Sequence, residues 1–136
     1  IRLASHTGER LGQRNIIVGN QAGSSGSLNL SSGGRIEASR LGVGDSGGTG
    51  QVTVNNATVA LSGVINVVLA DGSQQGGGMT IARGAGGSGT VNLQNGAVVD
   101  INSANRSAFV AIGGTSTLAG GIGTLSMSGG SARSVS

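Results

Sequence analysis

Surface chemistry needs carboxylates, imidazoles, thiols or guanidiniums brought together, and this chain offers few of them. Its acids are Glu9, Glu37, Asp45, Asp71 and Asp100, its single histidine is His6, and it has no cysteine. Paired carboxylates are what polysaccharide cleavage would require, and a cluster of them is what Ca²⁺ would require. Spacing favours the pair Asp45 and Asp71, because "LGVGDS" at 41–46 and "VVLADG" at 67–72 align with one aspartate over the other. In adjacent coils those carboxylates would lie about 5 Å apart on one face. Aspartates beside glycine also serve as turn residues that accept hydrogen bonds from nearby backbone N–H groups, and the flanking glycines favour that reading. His6 has no second histidine and no serine or cysteine nucleophile motif, so it reads as a solvated loop residue. No catalytic, metal-ligating or cofactor-binding residue is expected, and the chain is read as a non-enzyme.

The basic residues are all arginine, and the net charge is +3 with a pI near 11.5. They are scattered, and only Arg10, Arg14, Arg35 and Arg40 could gather into a patch, which Glu9 and Glu37 dilute. Nucleic-acid binding needs a basic stripe and, for single strands, stacking aromatics, whereas Phe109 is the only aromatic here. Arg35 and Glu37 stand two apart on an extended segment and should form a weak surface ion pair. The glycine-rich run 84–89 lacks the following helix that a phosphate cradle needs, and no G-G-x-G-x-D calcium repeat occurs. The outward residues Ser27, Asn29, Gln51, Thr53, Thr90, Asn92, Thr124 and Ser126 are polar but do not form the regular threonine array of an ice-binding face.

What must position these groups is a repeat. Residues 16–41 hold three short apolar-alternating pieces, at 16–18, 27–30 and 35–38, separated by Gly, Ser and Asn. The next 23 residues, 41–63, repeat them: Leu41 and Val43 answer Ile16 and Val18, "GQVTV" answers "GSLNL", and 58–61 answers 35–38. The alternation has period two throughout, so Leu28, Leu30, Val52, Val54, Val91, Leu93, Leu125 and Met127 should share one inward side. A unit of about 25 residues cannot bury its own apolar side and must stack on copies of itself. Glycine, at 29 of 136 residues, and Asn55, Asn56, Asn95 fit the corners of such a stack. With 36% apolar and 10% charged residues the composition argues against disorder, and the regular apolar pairs argue against a Gly/Ser-rich linker.

The expectation is therefore an all-β, parallel β-helix with three short strands per coil, residues 1–136 forming one solenoid segment of a longer repeat protein. A third pass is expected to begin at Val67 and a fourth at Val110. Both "GMTIA" at 78–82 and "GTVNL" at 89–93 fit the second-strand template, and the register there stays open. Matching Arg83 to Val43 and Ile112 would put a guanidinium inside the stack, so the extra residues are placed as an insertion at 83–95. No apolar run is long enough to span a membrane, and no membrane insertion is expected.

The pattern "[VI]-G … G-S/T-G-x-[LV]-x-[LV] … G-G-x-[VIA]" runs through Val18-Gly19, 26–30 and Gly33-Gly34, then Val43-Gly44 and 50–54, then 89–93 and Gly96, then Ile112-Gly113, 123–127 and Gly129-Gly130. It resembles the passenger repeats of bacterial autotransporters and related surface-protein repeats. The resemblance implies a right-handed β-helix, secreted to the bacterial cell surface and acting as a stalk or adhesin. Its partners would be neighbouring repeats, copies of itself through open solenoid ends, or a host or cell-surface glycan or protein. Two other readings are a fibre subunit that stacks end to end, and a carbohydrate-binding or carbohydrate-active passenger centred on Asp45, Asp71 and 83–95.

Overall fold

A computed structural model describes residues 15–61, 78–102, 108–115 and 118–135. The first coil is made of β1 (Asn15–Val18), β2 (Ser25–Ser31) and β3 (Arg35–Ala38), and the second of β4 (Arg40–Val43), β5 (Thr49–Asn55) and β6 (Thr58–Leu61). The third contains β7 (Gly78–Ile81), β8 (Ser88–Gln94) and β9 (Val98–Asn102). The fourth starts with β10 (Phe109–Ile112), passes through the small antiparallel pair β11 (Gly114–Thr115) and β12 (Leu118–Ala119), and ends in β13 (Ile122–Ser128) and β14 (Ser131–Val135). Like strands stack as three parallel sheets, β1-β4-β7-β10, β2-β5-β8-β13 and β3-β6-β9-β14. This is a parallel β-helix with three strands per coil.

Alternation decides what the coils bury. Leu28, Val52, Val91 and Leu125 form one in-register row, and Leu30, Val54, Leu93 and Met127 another. Val52, Val54, Val91 and Leu93 are fully buried, and they pack with Leu41, Val43, Met79, Ile81, Val59, Leu61, Val99 and Ile101 into one apolar column. Each such aliphatic side chain contributes about 1.5–3 kcal/mol by leaving water, which replaces the aromatic core the composition lacks.

The glycine that opens the second-strand template now has a cause. Gly26, Gly50, Gly89 and Gly123 form a third inward row, at the corner where the first sheet delivers its chain. A Cβ on Gly50 would run into the Val18 carbonyl and lie 2.9 Å from Val43 Cγ1; on Gly89 it would meet Ile81 Cγ2 at 2.8 Å. Past the second strand, Ser32, Asn56, Asn95 and Gly129 all take left-handed backbone at matching positions, with φ between 48 and 74°. Asn tolerates that conformation better than most residues, which accounts for Asn56 and Asn95. Hydrogen bonds continue from coil to coil beyond the strands, as in Gly44 N–H to Val18 O (2.8 Å), Ala82 N–H to Val43 O (2.7 Å) and Gly113 N–H to Ile81 O (2.8 Å).

The strands of the first, second and fourth coils fall where expected, but the first strand of the third does not. β7 pairs with β4, Leu41 opposite Met79 and Val43 opposite Ile81, so "GMTIA" is a first strand and "GTVNL" the second. The residue aligned with Val43 and Ile112 is Ile81 rather than Arg83, so the Arg83 guanidinium stays out of the column. Residues 83–95 are an ordinary corner and second strand, so the insertion does not lie there; the extra length falls between Leu61 and Gly78. Residues 67–72, where the third pass was expected to start, lie outside the described residues.

Candidate functional site

The groups able to do chemistry lie on the outer face of the first sheet, around Asp45. Two residues after Val43 the chain turns through a short 3₁₀ segment, Asp45–Gly47, behind Gly44 at φ 72°. This folds the Asp45 side chain back over its own strand. A Cβ on Gly42 would lie only 2.7 Å from Asp45 Oδ2, so the carboxylate occupies the slot that this glycine leaves open. There it is 4% exposed. Thr80, the register partner of Gly42 on the next coil, donates its hydroxyl to Oδ1 and Oδ2 at 3.3 and 3.4 Å. The Arg83 backbone N–H donates to Oδ1 at 3.4 Å, and Arg83 Nε lies 3.7 Å from Oδ2.

The position one coil above Asp45 is thus Arg83, two residues past Ile81 as Asp45 is two past Val43. The expected Asp45–Asp71 ladder is replaced at this register by a carboxylate–guanidinium contact, and Asp71 itself lies outside the described residues. Burial of an unpaired carboxylate would be prohibitive, and the threonine hydroxyl, a backbone N–H and one guanidinium together hold it.

Arg40 shares this face at the start of β4. Its guanidinium carbon stands 5.4 Å from the centre of the Phe109 ring, a cation–π distance. Gly78 lies between them in register, and a Cβ there would meet the ring at 2.5–2.8 Å, so the ring can lie down toward Arg40 because residue 78 is glycine. Arg40 is half-buried; that burial, then the like charge of Arg83, lowers its pKa, against a smaller opposing effect of Asp45.

The remaining charges among the described residues are paired on the third sheet. Arg35 Nε donates to Glu37 Oε1 at 3.0 Å, the expected pair. Arg133 Nε and Nη2 donate to both oxygens of Asp100 at 3.2 and 3.0 Å, from one coil to the next in register. The hydrogen bond to Asp100, then its charge, raises the Arg133 pKa. Sequence reasoning missed the Asp45–Arg83 and Asp100–Arg133 pairs; the signal for the second was present, since both sit third in their strands. Arg35 and Arg40 stand on different sheets, so these two do not share a patch. His6, Glu9, Arg10 and Arg14 lie outside the described residues. Among the described residues no three of His, Cys, Asp and Glu come together as a metal site, and no helix is long and apolar enough to cross a membrane.

No protein-family model, curated protein or solved structure matches this chain.

Proposed function

We propose that the chain is a structural and adhesive segment of a secreted bacterial surface β-solenoid, non-catalytic, and similar in role to an autotransporter passenger. The observation that carries this reading is the unbroken registration of all three sheets over four coils around one apolar column. Such a stack transmits load through coil-to-coil hydrogen bonds and holds a polar surface, with Gln51, Thr53, Thr90 and Asn92 in rows, away from its point of attachment. The test is to coat beads with the purified protein. They should adhere to glycan- or protein-bearing surfaces and release no new reducing ends from polysaccharides; release of such ends would favour the carbohydrate-active reading instead.

A second reading is the end-to-end fibre, in which the last coil packs against a second copy. Val110, Ile112 and Met127 occupy column positions yet are 41, 47 and 56% exposed. Under this reading a second copy covers these residues, and under the first reading further repeats of the same chain do. Electron microscopy across a concentration series should show lengthening filaments under this reading, and short rods of constant length under the first.

A further inference from the structure

The corner that joins β8 to β9 holds the only Asn-Gly pair in the chain, Asn95-Gly96. Ala97 N–H closes this turn on Gln94 O at 3.0 Å, with φ 49° at Asn95 and 79° at Gly96. Two successive left-handed residues suit a type I′ turn, for which Asn-Gly is a preferred pair. The first coil makes the matching corner with Ser32-Gly33, at φ 56 and 76°. The fold therefore needs the glycine at this place but not the asparagine. Asn95 and Gly96 are both exposed. An asparagine before glycine is also chemically reactive, because no side chain shields the following backbone nitrogen from the asparagine's own amide carbon.

Neighbouring coils hold both reacting groups. Asn95 Nδ2 donates to Asn55 Oδ1 at 3.1 Å on the second coil. Gly96 N–H donates to Gly129 O on the fourth coil, where Asn95 N–H also bonds to Ser128 O at 3.1 Å. The fourth coil is the less firmly packed of the two supports: Leu125 is only partly buried and Met127 is 56% exposed.

We propose that Asn95 is a site of spontaneous deamidation, gated by the docking of the fourth coil on the third. While Gly96 N–H donates to Gly129 O, the nitrogen keeps its proton and faces away from the Asn95 side chain. When the fourth coil lifts, Gly96 N bonds to Asn95 Cγ and the Cγ–Nδ2 bond breaks. The proton given up by Gly96 leaves with Nδ2 as ammonia. Water then opens the five-membered imide at either carbonyl, leaving aspartate or, where the main chain runs on through the side chain, isoaspartate. The imide nitrogen carries no hydrogen, so the bond to Gly129 O is lost, and isoaspartate lengthens the main chain at a corner built for a tight turn. Modification therefore releases the fourth coil in one direction only, at a rate that follows the population of the opened state.

The full chain, aged in heavy-oxygen water in a mildly alkaline buffer, tests this by peptide mass spectrometry, with enzymatic methylation reporting isoaspartate. Asn95 should take up the label ahead of every other asparagine, and about tenfold or more slowly than in the urea-unfolded chain. Leu125→Ala loosens the fourth coil and should speed the reaction about fivefold, whereas Leu28→Ala, its counterpart in the first coil, should leave the rate unchanged. Should Leu125→Ala unfold the protein, Met127→Ala at its exposed position gives the same comparison. Asn95→Ser, copied from Ser32, should keep its urea midpoint on ageing while that of the unsubstituted chain falls. An unlabelled Asn95 after other asparagines have reacted, equal rates in the folded and unfolded chain, or equal acceleration by Leu28→Ala would overturn the proposal. Its failure would leave the rod reading standing.

Discussion

The inside of the second sheet and the outside of the first are built on the same coil spacing by opposite rules. Inside, each row repeats one kind of residue: Leu28, Val52, Val91, Leu125, or glycine at 26, 50, 89 and 123. Outside the first sheet, the rows read Asn15, Arg40, Gly78, Phe109 and then Ile17, Gly42, Thr80, Ala111, with no residue type used twice in a row. A repeated row serves a need that every coil shares, namely an apolar column and room at the corner. A row of unlike residues serves a need found once, and here the two glycines are slots cut for the Asp45 carboxylate and the Phe109 ring. Stability should therefore be concentrated in the first kind of row.

The sharpest break of that contrast is a charge in the column. Val91→Asp should cost about 4 kcal/mol or more and abolish cooperative unfolding in denaturant, because nothing inside can pair with the carboxylate. Next comes cavity formation, which separates central from terminal coils: Leu93→Ala, fully buried, should lose about 2–5 kcal/mol, whereas Leu125→Ala in the last coil, only partly buried, should lose less than half as much. Gly89→Ala forces a methyl against Ile81 and the Ala82 backbone and should cost about 1–3 kcal/mol. The losses from Leu93→Ala, Leu125→Ala and Gly89→Ala are read from urea midpoints, and that from Val91→Asp from the absence of a cooperative transition.

On the outer face the effects should be smaller. Asp45→Asn keeps the shape but loses the charge opposite Arg83; with Arg83 part-exposed, about 1–2 kcal/mol is expected. Should it match the loss from Leu93→Ala, the division between the two faces would fail. Smallest is Arg133→Ala, a fully exposed partner of Asp100, which should change the midpoint by no more than the scatter between repeats.

How much of this was legible in the sequence follows the same division. The pairing of the first two coils could be read residue by residue, down to Gly26 against Gly50 and Arg35 against Thr58, because both coils keep the full template. The third coil was misread at one residue. The first strands end in Val18-Gly19, Val43-Gly44 and Ile112-Gly113, but in the third coil the left-handed position is Ala82, with φ 56°. An alanine held there costs about 1–2 kcal/mol and erases the "[VI]-G" signal, so "GMTIA" and "GTVNL" both fit the second-strand template and residues 67–72 fit the first. Moving the register moved the chemistry, since Asp45 then appeared under Asp71 instead of under Arg83. The slots at Gly42 and Gly78 left no trace in the sequence, because a glycine that makes room for a distant side chain looks like any other of the 29.

Because the chain has no cysteine, registration can be read by paired cysteine substitutions. Thr53 and Asn92 are outward-facing neighbours on β5 and β8, at a strand spacing of about 4.8 Å that lies within reach of a disulfide. Thr53→Cys with Asn92→Cys should oxidise rapidly and fully in the folded monomer, while Thr53→Cys with Ile81→Cys should stay reduced. The reverse outcome would place β7 in the second sheet, dissolve the continuous column and separate Arg83 from Asp45.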